Sequence, residues 1–335
     1  MPQLSICIPT YNRAAYLRQS LESILLSTKD YEKDIEIIIS DNASPDETCK
    51  VVAEHQRKHS FINYHRNDTT VPAEKNFYLV ASLAKGDYIW LFGDDDLMEP
   101  HAIAAILKRI NENHNLVICN YPLWSNDFSK VLRERMLPIR RDMIISDHDV
   151  LLRTMGLRLG FISMVIIRRD IFLELPLSEY EAYIDYGFPF VYAVYSGMLH
   201  RCRAYIEAQP VLKQRGASLD ACANNANKDW WYKCFVIGSS LIFEELRKKG
   251  YSSAAVHRAK YLVLKDDVMH DLSFRRIKGG DVSGLFRLML PYYKDQWFFW
   301  VVCVPMLFMP KFSIWIGYKF FVSLRGFFHW MHLEA

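Results

Sequence analysis

The sequence predicts an α/β fold built on a mostly parallel, doubly wound sheet. Three observations carry that reading. Over the first 110 residues, short apolar runs alternate with amphipathic stretches in the order β-α-β-α-β-α-β, and strands separated by helical crossovers pair in parallel. The apolar runs read as buried strands. One of them leads directly into three consecutive carboxylates, Asp94, Asp95 and Asp96. Open α/β sheets bind ligands just past the carboxyl ends of their strands.

In chain order, residues 4–8 read as the first strand, and Pro9-Thr10-Tyr11-Asn12-Arg13 breaks it with turn chemistry. Apolar residues at 17, 21, 24 and 25 give residues 15–26 one helical face. Residues 35–39 are a second strand ending in Ser40-Asp41-Asn42-Ala43-Ser44-Pro45-Asp46, and residues 47–59 a second helix. A short strand at 62–65 and a helix at 73–83 follow, then the central strand at 87–92. Pro100 marks the start of a helix over 101–110. Further strands are expected at 116–121, 161–167 and 209–214. Residues 127–149, with Arg133, Arg135, Arg140 and Arg141, read as a flexible acceptor loop or as an ordinary solvated excursion.

The chain has 335 residues, of which 51% are hydrophobic and 14% aromatic, enough for a core and too apolar for a disordered chain. A net charge of +3 gives nothing global to attract nucleic acid. The charge is uneven: residues 226–335 carry 16 Lys+Arg against 9 Asp+Glu, a net +7, which leaves −4 for residues 1–225. Seven scattered cysteines form no Cys-x-x-Cys and read as core residues of a reduced compartment. The first strand is too short and too little flanked by basic residues to be a signal peptide. A cytoplasmic protein is expected.

Three adjacent carboxylates repel one another unless a cation or protons neutralise them. Hard oxygen ligands of this kind suit Mg²⁺ or Mn²⁺, held by one or two carboxylates plus substrate phosphates. A solvated acidic turn is the competing reading, and the apolar strand directly before the triplet favours the metal. Glycine-rich phosphate loops, Gly-x-Gly-x-x-Gly or Gly-x-x-x-x-Gly-Lys-Ser/Thr, are absent from the sequence. Side chains at the first two strand ends would then hold the base, ribose and phosphates of a ligand.

Four motifs now stand in order: Cys7-Ile8-Pro9-Thr10-Tyr11-Asn12-Arg13, Ile37 to Thr48, Lys75-Asn76, and Gly86 to Leu97. Together they resemble the inverting family 2 glycosyltransferases of GT-A fold, over roughly residues 3–215. The Phe-Gly-x-Asp-Asp form is similar to transferases that build bacterial O-antigen, such as the abequosyltransferases. The resemblance implies a nucleotide-sugar donor. Pro9, Thr10, Tyr11 and Arg13 would surround its base and ribose, and Asp41 would hydrogen-bond the base, often uracil. Lys75 would lie near the nucleotide, with Asn76 structural. With Pro100 fixing the register, Asp95 falls on the metal position and Asp96 beside it. Gly93 replaces the first acid of the usual motif, and Asp94 is the residue available to take its part. Arg215, with Lys213, matches a basic loop over the diphosphate.

The same resemblance places the general base at Ile184-Asp185, with Glu179 and Glu181 as fallbacks. A sugar hydroxyl must lose its proton as it attacks the anomeric carbon, and a partly desolvated carboxylate suits that task. A helix cap is the alternative role for Asp185.

The sequence divides into a catalytic domain, 1–225, and a helical extension, 226–335. The former splits into a nucleotide-sugar half, 1–120, and an acceptor half, 121–225. Residues 285–331 form a strongly aromatic and apolar tail in which Lys311, Lys319 and Arg325 are interspersed. Its uncharged run, residues 297–310, is too short to span a bilayer. Basic residues mixed with Trp and Phe describe a helix lying in a membrane interface, with a helical pair packed on the catalytic domain as the alternative. The activity expected is transfer of a sugar to a polyprenyl-diphosphate-linked acceptor at the cytoplasmic face of the inner membrane. A sugar-phosphate nucleotidyltransferase and a non-catalytic binding module are the alternatives.

Overall fold

All seven residues of β1 (Leu4–Thr10) and all seven of β2 (Ile35–Asp41) are buried. That requires cover on both faces of the sheet, and the helices supply it. A computed structural model describes residues 1–216, 228–278, 282 and 284–310. After β1 come α1 (Ala14–Thr28), β2, α2 (Thr48–Gln56), β3 (Ile62–Arg66), α3 (Ala73–Ser82) and β4 (Tyr88–Leu91). A two-residue strand, β5 (Leu97–Met98), α4 (Ala102–Asn111) and β6 (Leu116–Cys119) follow. α1 packs against α2 and α4, whereas α3 packs on β1, β2 and β4. The helices thus cover the sheet on both sides, as the sequence predicts.

Next come β7 (Leu123–Trp124), β8 (Val131–Arg133), β9 (Met143–Ile145), α5 (His148–Met155), β10 (Val165–Arg168) and α6 (Arg169–Phe172). After these stand α7 (Leu177–Glu181), α8 (Pro189–Met198), β11 (Ala204–Glu207) and β12 (Leu212–Arg215). The main sheet runs β3-β2-β1-β4-β10-β6-β11-β9. β1 pairs in parallel with both β2 and β4. From β1 the chain winds outward to β2 and β3, then returns to the opposite side of β1 as β4. The order therefore reverses between β1 and β4, and the crevice at their carboxyl ends is where such sheets bind ligands.

Several expected bounds shift. The strand expected over 161–167 is β10 alone, preceded by a 3₁₀ turn at Ile162–Met164. It runs antiparallel to both neighbours. The strand expected over 209–214 is β12, which lies in a second sheet, β5-β12-β7-β8. The main-sheet strand in that region is β11, which the sequence reading passed over. Residues 127–149 are not a free loop. Leu137 and Ile139 are buried, and Asn120 donates to the carbonyls of both at 3.1 Å while accepting from Leu137 N at 3.0 Å.

The helices from 228 onward share one core with the preceding sheet domain. Lys228–Tyr232, Lys233–Gly238 and Ser239–Lys249 run on as one helix whose middle stretch is π-helical. Gly238 presses that helix onto the turn at 184–186: a Cβ there would lie 2.0 Å from the Tyr186 carbonyl oxygen. Only glycine permits that approach. Helix Ser253–Leu262 packs on α5, and Tyr251 donates to the Tyr195 carbonyl at 2.8 Å. The helices Leu285–Tyr293 and Val304–Phe308, with the π-helical turn Phe299–Cys303 between them, bury Met289, Tyr293, Phe299 and Cys303. Their outer side exposes Trp297, Trp300, Val301 and Phe308. Residues 285–310 thus pack an inner face on the core and expose an outer apolar one. Residues 311–331 of the expected tail, with Lys311, Lys319 and Arg325, lie outside the described residues.

Candidate active site

The register of β1, β2 and β4 dictates what meets at the crevice. Thr10 pairs with Asp41 across β1–β2, and Cys7 with Leu91 across β1–β4. Three residues beyond that last pair, on either side, stand Thr10 and Asp94. Thr10 Oγ1 donates to Asp94 Oδ2 at 2.7 Å. Arg13 Nη1 bridges Asp94 Oδ1 at 2.9 Å and Asp95 Oδ2 at 3.0 Å. These groups line a cleft of about 400 Å³ with Pro9, Tyr11, Asn42, Asn76 and Phe77 among its walls.

The three carboxylates have different surroundings and so different capacities. Asp94 is buried, and desolvation raises its pKa to about 6 against the opposing pull of Arg13. Asp96 is only 2% exposed. It accepts from Ser163 Oγ at 2.5 Å and from the Arg215 backbone N–H at 3.1 Å. Burial, and then repulsion from Asp95, push its pKa far above the ordinary carboxylate range. Asp95 is the open one, its side chain 32% exposed and, among the described residues, held by Arg13 alone.

A divalent cation fits this arrangement in one specific way. Among the described residues no group of three or more His, Cys, Asp or Glu is disposed to cage a metal. Asp95 offers a hard oxygen ligand facing solvent, beside the Arg13 guanidinium. One carboxylate completed by substrate phosphates is the usual manner of Mg²⁺ binding. Asp96, paired with Ser163 and the Arg215 amide, is engaged in holding the loop.

Gly93 has a steric reason in this chain. A Cβ there would stand 2.9 Å from Asp96 Oδ2, 3.1 Å from Ser163 Oγ and 3.3 Å from Asp95 Oδ1. A side chain at 93 would require the Asp96 carboxylate and the Ser163 hydroxyl to shift. Asp94 takes the bonds to Thr10 and Arg13 from the neighbouring position.

Other expected site residues are placed less simply. Asp41 is fully buried and turned onto its own chain. It accepts from Ser44 N at 2.8 Å, Tyr64 Oη at 2.6 Å and Arg66 Nη1 at 2.8 Å. Asn42 lines the cleft in its stead, braced by Asn67 Nδ2 at 3.0 Å and Val71 N at 2.9 Å. Lys75 is outside the cleft lining and pairs with Glu181 at 2.7 Å. The Arg215 guanidinium is not free to close over a diphosphate. It donates to the Asp95 carbonyl at 2.8 Å, to Gln19 at 2.7 Å and to the Asn126 carbonyl, between the rings of Tyr16 and Phe128. It fastens the acid loop to α1 and the 124–128 turn. Lys213 pairs with Glu99 at 3.3 Å.

Asp185 lies on an exposed 3₁₀ turn, Ile184–Tyr186, outside the cleft lining. Of the three acids in this region it alone lacks a fixed partner among the described residues. Glu179 is engaged by Tyr192 at 2.5 Å and Lys249 at 2.7 Å, with its pKa lowered first by Lys249. Glu181 is held by Lys75.

Ser163 was not legible as a site residue. It receives the Gly93 N–H at 2.8 Å, while its carbonyl accepts from Trp90 Nε1 at 2.7 Å. Its only sequence signal is a lone hydroxyl in an apolar stretch.

Comparison with known proteins adds to this geometry. The family model described as glycosyl transferase family 2 matches residues 5–175. The chain is 29% identical over 203 residues to the abequosyltransferase RfbV of Salmonella typhimurium, covering 58% of this chain and 60% of that protein. It is 33% identical over 123 residues to a Campylobacter jejuni GalNAc(5)-diNAcBac-PP-undecaprenol beta-1,3-glucosyltransferase, covering 36% of this chain and 38% of that one. The chain thus spans from well under half to three fifths of the length of these relatives. The Staphylococcus aureus TarS 1–349 structure in complex with UDP-GlcNAc superposes with a TM-score of 0.62 at 13% identity, over 88% of this chain and 80% of that one. A Pyrobaculum calidifontis mannosyltransferase in complex with GDP-Man and Mn²⁺ does so at 0.52 and 14% identity, over 92% and 87%. These likenesses establish the fold as GT-A.

Proposed function

The chain belongs to glycosyl transferase family 2, and from that premise we propose that it moves one sugar from a nucleotide-sugar donor to a hydroxyl of a lipid-linked saccharide, with inversion. The observation that carries this reading is the junction of Thr10, Arg13 and Asp94–Asp96 at the switch point of the sheet. It sets an open carboxylate beside a cleft of nucleotide size. Asn42 and Tyr11 stand on the wall where the base and ribose would lie, and Arg13 is the cation nearest the diphosphate. A UDP-sugar is the first donor candidate, with CDP- and GDP-sugars next. The complexes of the fold neighbours with UDP-GlcNAc and GDP-Man support that choice.

Asp95 would hold Mg²⁺ or Mn²⁺ together with the donor's phosphates. The bound ion would supply charge stabilisation to the departing nucleoside diphosphate. Asp185 would take the proton of the attacking hydroxyl. The undecaprenol-linked substrate in one relative's name supports a polyprenyl-diphosphate acceptor in bacterial surface polysaccharide synthesis. Incubating the protein with Mn²⁺, a nucleotide sugar and a lipid-linked glycan acceptor should release free nucleoside diphosphate. Release of pyrophosphate in a parallel assay with a nucleoside triphosphate and a sugar 1-phosphate would indicate a nucleotidyltransferase, and no release in either assay with a donor that raises the thermal midpoint would indicate a binding module.

Among the described residues no helix is long and apolar enough to cross a membrane. Attachment to the membrane surface is supported by the exposed side of residues 297–308, where Trp297 is 58%, Val301 64% and Phe308 69% accessible. Full-length protein should sediment with anionic liposomes. Salt should release only part of it, because screening removes the lipid attraction of Lys and Arg but not the aromatic burial. Removal of residues 311–335 should weaken the association. Removal from 282 onward should unfold the protein instead, because Tyr293, Phe299 and Cys303 are core residues. Liposomes that leave the intact protein in the supernatant would end this reading.

A further inference from the structure

A second cavity of about 110 Å³ adjoins the donor cleft, and the two share Phe77 and Ile162 as walls. Its other walls come from segments far apart in sequence: Glu74 from α3, Phe188 from the start of α8, and Trp230 and Cys234 from the first helix of the C-terminal extension. The extension therefore supplies part of the wall next to the donor. Trp230 is 50% exposed at its lip. Phe188 adopts the left-handed backbone conformation, φ 63°, which costs a bulky residue energy and is kept where the surroundings demand it. Its ring is fixed edge-on against Phe235, with centroids 5.0 Å apart.

Resting on the glycosyltransferase reading, we propose that this cavity seats the sugar ring of the acceptor that receives the transferred group, with Trp230 as its stacking platform and Glu74 accepting from its hydroxyls. The chemistry of the lining selects a saccharide over a hydrocarbon chain. A half-exposed indole offers a flat apolar face to the C–H side of a pyranose. No side chain among the described residues pairs with the Glu74 carboxylate, so hydrogen bonding to hydroxyls would satisfy it, whereas an acyl or prenyl chain would bury it unpaired. The shared walls put the ring beside the donor, where a hydroxyl must stand to be glycosylated. The turn bearing Asp185 ends one residue before Gly187, which also lines this cavity.

The test uses full-length protein with UDP and Mn²⁺, probed by saturation-transfer NMR with galactose, glucose and N-acetylglucosamine as separate free sugars. In the unsubstituted protein at least one sugar should receive saturation on its ring protons. Trp230→Phe should keep the signal. Trp230→Leu, which preserves bulk without a π face, should weaken sugar binding on the order of 10-fold, as loss of a buried aromatic anchor does. Glu74→Gln should weaken it as well. UDP affinity should stay the same in all four proteins. Equal sugar signals in Trp230→Leu and the unsubstituted protein, or no signal from any sugar, would overturn the proposal. Failure of the parent reading shows separately, as an absence of UDP binding in the unsubstituted protein.

Discussion

Asp95→Ala should reduce sugar transfer on the order of 10³-fold while the thermal midpoint stays close to that of the parent. The asymmetry follows from where Asp95 sits. Its side chain is about a third exposed and makes one ion pair, with an arginine that is itself half exposed. Surface pairs of that kind contribute little to stability. Removing the carboxylate leaves Arg13 bonded to Asp94, so the loop keeps its tie to α1. The function loses its open oxygen ligand, because the other two acids are committed, Asp94 to Thr10 and Arg13 and Asp96 to Ser163 and the Arg215 amide. EDTA should reproduce the loss in the parent, and Asp95→Ala should also lose Mn²⁺-dependent donor binding measured by calorimetry. Full transfer in EDTA, together with an active Asp95→Ala protein, would remove the metal from this site.

Asp96→Ala is a different experiment. It takes away a buried acceptor shared by Ser163 and the Arg215 amide, so loss of activity there would carry loss of stability with it. Comparison of the two variants separates metal holding from loop holding.

The nucleotide half was legible because its signals are local. Apolar runs, helical spacing and strand-end turn residues each span fewer than fifteen residues, and the parallel order follows from their alternation. The meeting of Thr10, Arg13 and the acid triplet followed from topology, since the ends of adjacent parallel strands come together. What the sequence concealed are roles fixed by partners far away in the chain. Arg215 looked like a phosphate ligand because it is basic and follows a strand. Its partners are Gln19, Asn126 and the Asp95 carbonyl, up to 196 positions away, and no local pattern announces them. The resemblance implies a base contact for Asp41, whose Oδ2 already accepts from Tyr64 and Arg66 on the next strand. The β11 strand escaped because its sequence, Ala-Tyr-Ile-Glu, follows Arg203 and ends in a buried glutamate, and so gives no apolar run. The family match itself ends at 175, so the proposed base and the aromatic acceptor wall lie where family resemblance is thinnest.

Asp185→Asn should lower turnover on the order of 10²-fold or more with donor affinity intact. The substitution keeps size and hydrogen bonding but leaves nothing to accept the acceptor's proton. The structure narrows the choice among nearby acids by their engagements. Glu179 carries a Lys249 ammonium and a Tyr192 hydroxyl on one oxygen. Glu181 neutralises Lys75. The Lys249 bond lowers the Glu179 pKa and makes it a poor base. Asp185 has no such partner among the described residues. Its turn is held by backbone bonds from Tyr186 N to the Tyr183 carbonyl at 3.0 Å and from Gly187 N to the Ile184 carbonyl at 3.2 Å. The extension helix braces the turn from behind through Gly238. An active Asp185→Asn protein beside an inactive Glu179→Gln or Glu181→Gln, each still binding UDP, would move the base to the glutamate concerned.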